Sequence, residues 1–201
     1  DGVPQNDPFG AWVYWQRYNP STLSSIEIRP SSGSEAWGNF GTGGRISLKS
    51  LSSHENRLHT KLTLGTDGKR AAAFSSNSSL APGLSINLSA LAAETDGFHP
   101  LSPDQRGSVD RKANSEVSSY QGRLNYAPNE LWSISIKADT YEEDRVNGTA
   151  LGLNGTEATD FSANILRVFN ETSSGLQFVA YAQDRDFHNV FTAVASDRNS
   201  E

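Results

Sequence analysis

Three groups of side chains have the types and spacing to do chemistry. Asp184, Asp186 and His188 stand at i, i+2 and i+4 in DRDFHN. On a β-strand that spacing puts all three on one face, where they could converge on a metal ion. Glu142, Glu143 and Asp144 run together before Arg145 and could supply paired carboxylates for acid–base work. His54, His59 and His99 are the other histidines. Each group lacks what its chemistry further requires. The acidic run has no cleft or partner, and the histidines have no Ser and Asp placed by a motif to complete a triad. DRDFHN reads more simply as a solvated loop edge. The expectation is a non-enzyme: no catalytic residue, no metal and no cofactor. Sequons at Asn77, Asn87, Asn147, Asn154 and Asn170 arise by chance in a chain rich in Asn, Ser and Thr. Asn77 and Asn87 moreover fall inside expected strands, where glycans would clash.

Composition narrows the classes. The chain has 201 residues, 35% hydrophobic, with a net charge of −6 and neither Cys nor Met. Absence of Cys removes disulfides, thiol catalysis and thiolate zinc sites. Acidic charge without basic clusters argues against nucleic acid as a partner. No apolar run reaches the roughly 20 residues of a transmembrane helix. That leaves membrane barrels open, because alternating strands average to mild polarity.

The elements that must position these groups are strands. LSINLSAL (84–91) puts Leu84, Ile86, Leu88 and Ala90 opposite Ser85, Asn87 and Ser89. LWSISIKAD (131–139) sets Trp132, Ile134, Ile136 and Ala138 against Ser133, Ser135, Lys137 and Asp139, and LHTKLTLG (58–65) repeats the theme. Period two is the strand signature. It predicts seven strands, at about 57–66, 70–79, 84–95, 116–126, 131–143, 160–169 and 176–187. Tight turns LAPGL (80–84), APNEL (127–131) and NETSSGL (170–176) lie at one end. Long polar loops at 96–115 and 144–160 lie at the other, with a short TDGK turn (66–69). Such sorting of connection lengths by end is a habit of outer-membrane barrels. Two aromatic rows are expected at the interfaces: Tyr126, Trp132, Phe169 and Phe178 near the short turns, and Tyr120, Tyr141, Phe161 and Phe187 near the long loops. Arg167 shares a face with Phe161, Ala163, Ile165 and Phe169, so an ideal strand aims it at lipid unless a bulge shifts the register.

Residues 1–50 differ. DGVPQNDPFGAWVYW (1–15) is dense in turn residues, IEI (26–28) is a short strand, and GSEAWGNFGTGGRISL (33–48) is a Gly-rich turn opening a further strand. The glycines at 38, 41, 43 and 44 permit positive φ and close backbone contact. A phosphate cradle is not supported, since no Lys-Ser/Thr follows at Walker spacing. These pieces resemble the last part of the plug domain of TonB-dependent outer-membrane receptors. Trp37-Gly38 stands at that family's aromatic-Gly step and Gly43-Gly44 at its Gly pair. The motif resemblance covers about a quarter of the chain.

The resemblance implies an all-β fold: a fragment of a transmembrane antiparallel β-barrel (53–201) preceded by the C-terminal part of a plug (1–52). It implies a receptor that actively imports a scarce nutrient such as a ferric siderophore, haem or cobalamin across the outer membrane of a Gram-negative bacterium. Its partners would be outer-membrane lipid, the energy-coupling TonB complex of the inner membrane, and a small-molecule or metal-chelate ligand. Ligand contacts are expected on the plug surface at Asn6, Asp7, Phe9, Trp37, Asn39 and Phe40, with Gly38, Gly41, Gly43 and Gly44 shaping the plug turn. Asp1 to Trp15 would be an internal turn and strand of the plug. The sequence departs from the family at Ile28-Arg29-Pro30, where Arg29 falls one place early and the Gly-Pro is missing. The family's ion lock between plug and barrel therefore does not carry over to Arg29. The rival readings are a soluble β-sandwich that binds a ligand or carbohydrate, and a passive porin or adhesin barrel.

Overall fold

Alternation over seven consecutive segments builds one antiparallel sheet in the computed structural model, which describes residues 1–30, 43–51, 55–169 and 174–201. A separate two-stranded ribbon pairs β1 (Leu23–Arg29) with β2 (Arg45–Ser50). The large sheet contains β3 (Arg57–Leu64), β4 (Arg70–Ala81), β5 (Leu84–Phe98), β6 (Ala113–Asn129), β7 (Trp132–Val146), β8 (Leu153–Phe169) and β9 (Ser174–Asn189), each beside its sequence neighbour. The sheet is open, with β3 and β9 at its edges.

All seven predicted strands are present, most with ends shifted by one to three residues and one, the start of β8, by seven. β6 begins at Ala113, β9 runs to Asn189, and β8 begins at Leu153. The expected long loop 144–160 therefore shrinks to residues 147–152. The physical reason lies in GTEATD: Thr156, Ala158 and Asp160 are buried while Glu157 is exposed. That is strand alternation written with polar residues on both faces. Connections 65–69, 99–112 and 147–152 share one end, and 82–83 and 130–131 share the other. In the TDGK turn, Asp67 (φ 54°) and Gly68 (φ 67°) both take positive φ, the requirement of a type I′ hairpin turn. The strand expected within residues 1–15 does not form. Residues 1–22 instead run without strand into 3-10 turns at Trp15–Arg17 and Pro20–Thr22, the second capped by Asn19.

The sheet's polarity is inverted relative to a soluble domain. One face carries Ser75, Asn77, Ser85, Asn87, Ser89, Ser119, Asn125, Asp139, Glu143 and Asp160, and all of these are buried. Residues 1–22 cover part of this face, through contacts from Asn19 to Phe74 and Ser89 and from Arg17 to Asp139 and Asp160. Among the described residues none covers the opposite face, yet it carries Leu58, Leu62, Phe74, Leu88, Tyr120, Leu124, Ile136, Phe161 and Phe178, each exposed, Leu62 by 84%. The only cluster of buried apolar side chains among the described residues is small: Tyr14, Val117, Tyr141 and Ala158, with Leu91 against it. Soluble domains bury their apolar side. Here the polar side is buried.

Register arranges the bare face in rows. Leu84, Tyr126, Ile134, Ile165 and Phe178 are cross-strand neighbours in sequence, as are Ile86, Leu124, Ile136, Ala163 and Ala180. Higher up, Glu94, Glu116 and Asp144 form a row, and so do Glu142, Glu157 and Asp186. The apolar rows thus give way to acidic ones toward the long-connection end.

Candidate functional site

The covered face is organised around one cation. Arg17 is the only charged residue between Asp7 and Glu27, and it is 6% exposed. Its guanidinium donates at 2.7 Å to Asp139 and at 2.8 Å to Asp160. Those two carboxylates lie directly opposite each other on β7 and β8. Like charges so placed repel, and the guanidinium between them offsets part of that repulsion while tying the two strands to residues 1–22. Lys137 also pairs with Asp139, and Arg185 grips Asp160 with both terminal nitrogens. Two carboxylates thus meet three cations in a buried network. The Arg17 guanidinium is further flanked by the rings of Tyr141 and Tyr18, at 5.7 and 5.9 Å. Burial pushes the Tyr18 phenol up to about 12.

Neighbouring contacts extend this anchor across the sheet. Trp12 packs on Phe187 of β9 at 5.1 Å, and Tyr14 on Tyr141 of β7 at 5.6 Å. Asn19 donates to the Phe74 carbonyl and to Ser89, both at 3.1 Å. Tyr141 and Phe187 therefore leave the expected outer aromatic row. They belong to the covered face and serve as seats for the N-terminal segment.

The turn before Trp12 is tightly built. The Asp7 carboxylate accepts from the backbone N–H groups of Phe9 (2.9 Å) and Gly10 (2.8 Å) and from the Tyr14 hydroxyl (3.1 Å). Asn6 donates to the Ala11 carbonyl at 2.9 Å, while the Asp7 N–H donates to Trp12 O at 2.8 Å. Asp7 is consequently buried and committed to the turn. Its neighbour Phe9 is 91% exposed at the tip. Of the expected ligand contacts, Asn6, Asp7 and Phe9 thus come together in one turn. Trp37, Asn39 and Phe40, with Gly38 and Gly41, lie outside the described residues. Gly44 has φ +126° and a side chain there would meet Arg29 O at 2.7 Å, whereas a side chain at Gly43 would meet open space. Of these two described glycines, Gly44 is the one whose place requires glycine.

At the long-connection end, three segments interlock. Arg198 donates from Nε to both Asp110 oxygens, at 3.1 and 2.9 Å, and from a terminal nitrogen at 2.5 Å. The Gly107 N–H donates to the same carboxylate at 2.7 Å. Together they hold the Asp110 carboxyl down at about 2. Asp110 also bridges to Thr149, and Leu151 N–H donates to Glu201 at 2.9 Å. Segments 99–112, 147–152 and 190–201 form one cap.

The other chemistry candidates disperse. No cluster of three His, Asp or Glu able to hold a metal occurs among the described residues. Glu143 pairs inward with Arg145, while Glu142 is exposed on the bare face. Asn77 and Asn87 are buried in a hydrogen-bonded row with Asn125. Among the described residues Arg29 pairs with Glu27 of its own strand, in the open. Arg17, which the sequence reading passed over, holds the position of importance. The signal was a lone charge in an aromatic run, with two Asp residues on polar strand faces to receive it.

No protein-family model matches the chain, and neither a curated protein nor a solved structure matches it.

Proposed function

We propose that the chain is the end of a plug and the first wall of a TonB-dependent outer-membrane receptor, which imports a scarce small molecule or metal chelate such as a ferric siderophore, haem or cobalamin. The observation that carries this reading is the inverted polarity: an apolar face left bare and a polar face covered by residues 1–22. Lipid is the solvent that suits such a bare face. From the Trp132 row to the Thr140 row the apolar band runs eight residues, about 27 Å along a strand. At the 35–45° tilt of barrel strands that is roughly 20 Å of depth, close to the ~25 Å band of such barrels. The acidic rows beyond it then stand at the outer headgroups.

In this account Arg17 fastens plug to wall by bonding Asp139 and Asp160, the part that the family assigns to an arginine elsewhere in its plug. The Asp7 turn holds Phe9 and Asn6 toward the ligand, on the side of the interlocked cap. Energy coupling by the inner-membrane TonB complex would act on the plug and work against the Arg17 anchor. A soluble carbohydrate-binding sandwich has less support, because it needs Leu88, Ile136 and Phe161 inside a core.

The test is uptake by a Gram-negative host carrying or lacking the full gene, with a panel of labelled ferric chelates, haem and cobalamin. Uptake of one of them that needs the gene and collapses when the inner membrane is depolarised supports the reading. Recovery of the protein in the soluble fraction, with no energy-dependent uptake, overturns it.

A further inference from the structure

Arg167 is the one cation on the bare face, among the described residues, between the short-turn rim and the rows that begin at Asp184. The bulge that could have turned it inward is absent. β8 keeps register through Trp132↔Arg167 on one side and Arg167↔Leu176 on the other. Its guanidinium stands 5.0 Å from the Trp132 ring centre and 5.3 Å from that of Phe169. Aromatic rings attract the cation but offer no acceptor in the guanidinium plane. The five N–H donors of that plane seek anionic oxygens, and phosphate fits them well. Among the described residues the Arg167 guanidinium forms no ion pair and no hydrogen bond to a carbonyl or carboxylate.

We infer that Arg167, Trp132 and Phe169 form a binding site for the phosphate of a phospholipid headgroup in the leaflet beside the short turns. The inference rests on the membrane reading given above. Charge complementarity selects the occupant: a lone cation held at the margin of an apolar surface meets an amphiphile with an anionic head. Depth agrees. Arg167 shares the row of Asn129 and Trp132, the last before the turn at 130–131. The next row inward, Tyr126, Ile134, Ile165 and Phe178, is apolar apart from the Tyr hydroxyl. An Arg at a membrane interface costs about 0–1 kcal/mol against about 2–4 at the midplane, so this position is permitted where a central one is not.

The surface also provides for the acyl chain. Three rows inward lies a groove of about 390 Å³ with Gly122 and Ala138 between Leu88 and Phe161. Six residues of strand separate it from Arg167, about 20 Å along the chain. With barrel tilt that is roughly 15 Å of depth, half of a ~30 Å hydrocarbon core. A phosphate on Arg167 thus leaves its acyl tail running toward the groove.

The experiment uses the full-length protein in nanodiscs, with native mass spectrometry of retained phosphatidylglycerol and, as a phosphate-free control, diacylglycerol. Arg167→Gln removes a charge from an apolar face and does not threaten assembly, which heat-dependent gel mobility verifies. Wild type is expected to retain phosphatidylglycerol about ten-fold better than Arg167→Gln, with Arg167→Lys and Trp132→Leu between, and diacylglycerol equally weak on all. Equal retention by wild type and Arg167→Gln, in protein that assembles, overturns the site while leaving the membrane reading intact. Binding of inorganic phosphate to the wild type as tightly as phosphatidylglycerol overturns the lipid as its source. Protein that stays soluble and takes no lipid overturns both readings.

Discussion

Asp139 and Asp160 face each other in register across β7 and β8, and one guanidinium, that of Arg17, bonds to both. The side chains concerned are 3% and 6% exposed, so water screens little of the carboxylate repulsion, which without the arginine is left to Lys137 and Arg185 alone. Breaking a buried pair by removing one partner costs about 3–5 kcal/mol. Arg17→Met is expected to loosen residues 1–22 from the sheet by that order. Hydrogen exchange of the Tyr14–Thr22 amides in the full protein reads it directly.

Arg29 provides the contrast. Its partner Glu27 sits two residues away on the same strand, and both side chains are open to solvent. Exposed pairs of this kind contribute little. Arg29→Ala is therefore expected to leave exchange in residues 1–22 unchanged, within error. A loosening as large as that of Arg17→Met would move the anchor to the wrong arginine.

The cap at the long-connection end has a defined acid limit. Asp110 ordinarily titrates near 3.8, and Arg198 with the Gly107 N–H holds it at about 2. A depressed carboxyl contributes its stability above the unfolded value and loses it as pH falls through the folded one. The contact between 99–112 and 190–201 should therefore persist at pH 4 and open toward pH 2. A nitroxide pair at Ser108 and Asn199 should report a constant short distance down to about pH 3. Asp110→Asn should lengthen it at neutral pH.

The two sheet faces should respond oppositely to charge. Ile136 lies among the central apolar rows of the bare face, where an arginine costs about 2–4 kcal/mol in lipid. Ile136→Arg is expected to block assembly into the outer membrane, scored by heat-dependent gel mobility, while Ser133→Arg assembles. Asn87, on the same polar side as Ser133, should not tolerate the change: it is buried and bonded to Asn77 and Asn125.

Much of the sheet was legible because period two appears wherever one face is apolar, as in Leu84 to Leu91. It failed at Leu153 to Asp160, where both faces are polar and hydrophobicity cannot distinguish strand from loop. Tyr141 and Phe187 were misplaced for a related reason: an aromatic at a strand end suits an interface or a packed seat, and the partner that decides lies far away in sequence. The Asp7 turn was legible as a turn, since Asn, Asp, Pro and Gly cluster there. That Asp7 would spend its carboxylate on its own backbone was not. Arg17 escaped notice because its partners are 122 and 143 residues distant.

These 201 residues contain no Cys, so once any cysteine elsewhere in the full protein is replaced, single cysteines can be spin-labelled without background. Labels at positions 86 to 90 of β5 and 134 to 138 of β7, in the full protein in outer membranes, test which face meets lipid. Accessibility to membrane-dissolved oxygen is expected to peak at 86, 88, 90, 134, 136 and 138 and to fall at 87, 89, 135 and 137, with nickel chelate excluded from the first set. Equal exposure of both sets to the water-soluble nickel chelate, or oxygen peaks at the odd positions, would contradict a lipid-facing apolar side.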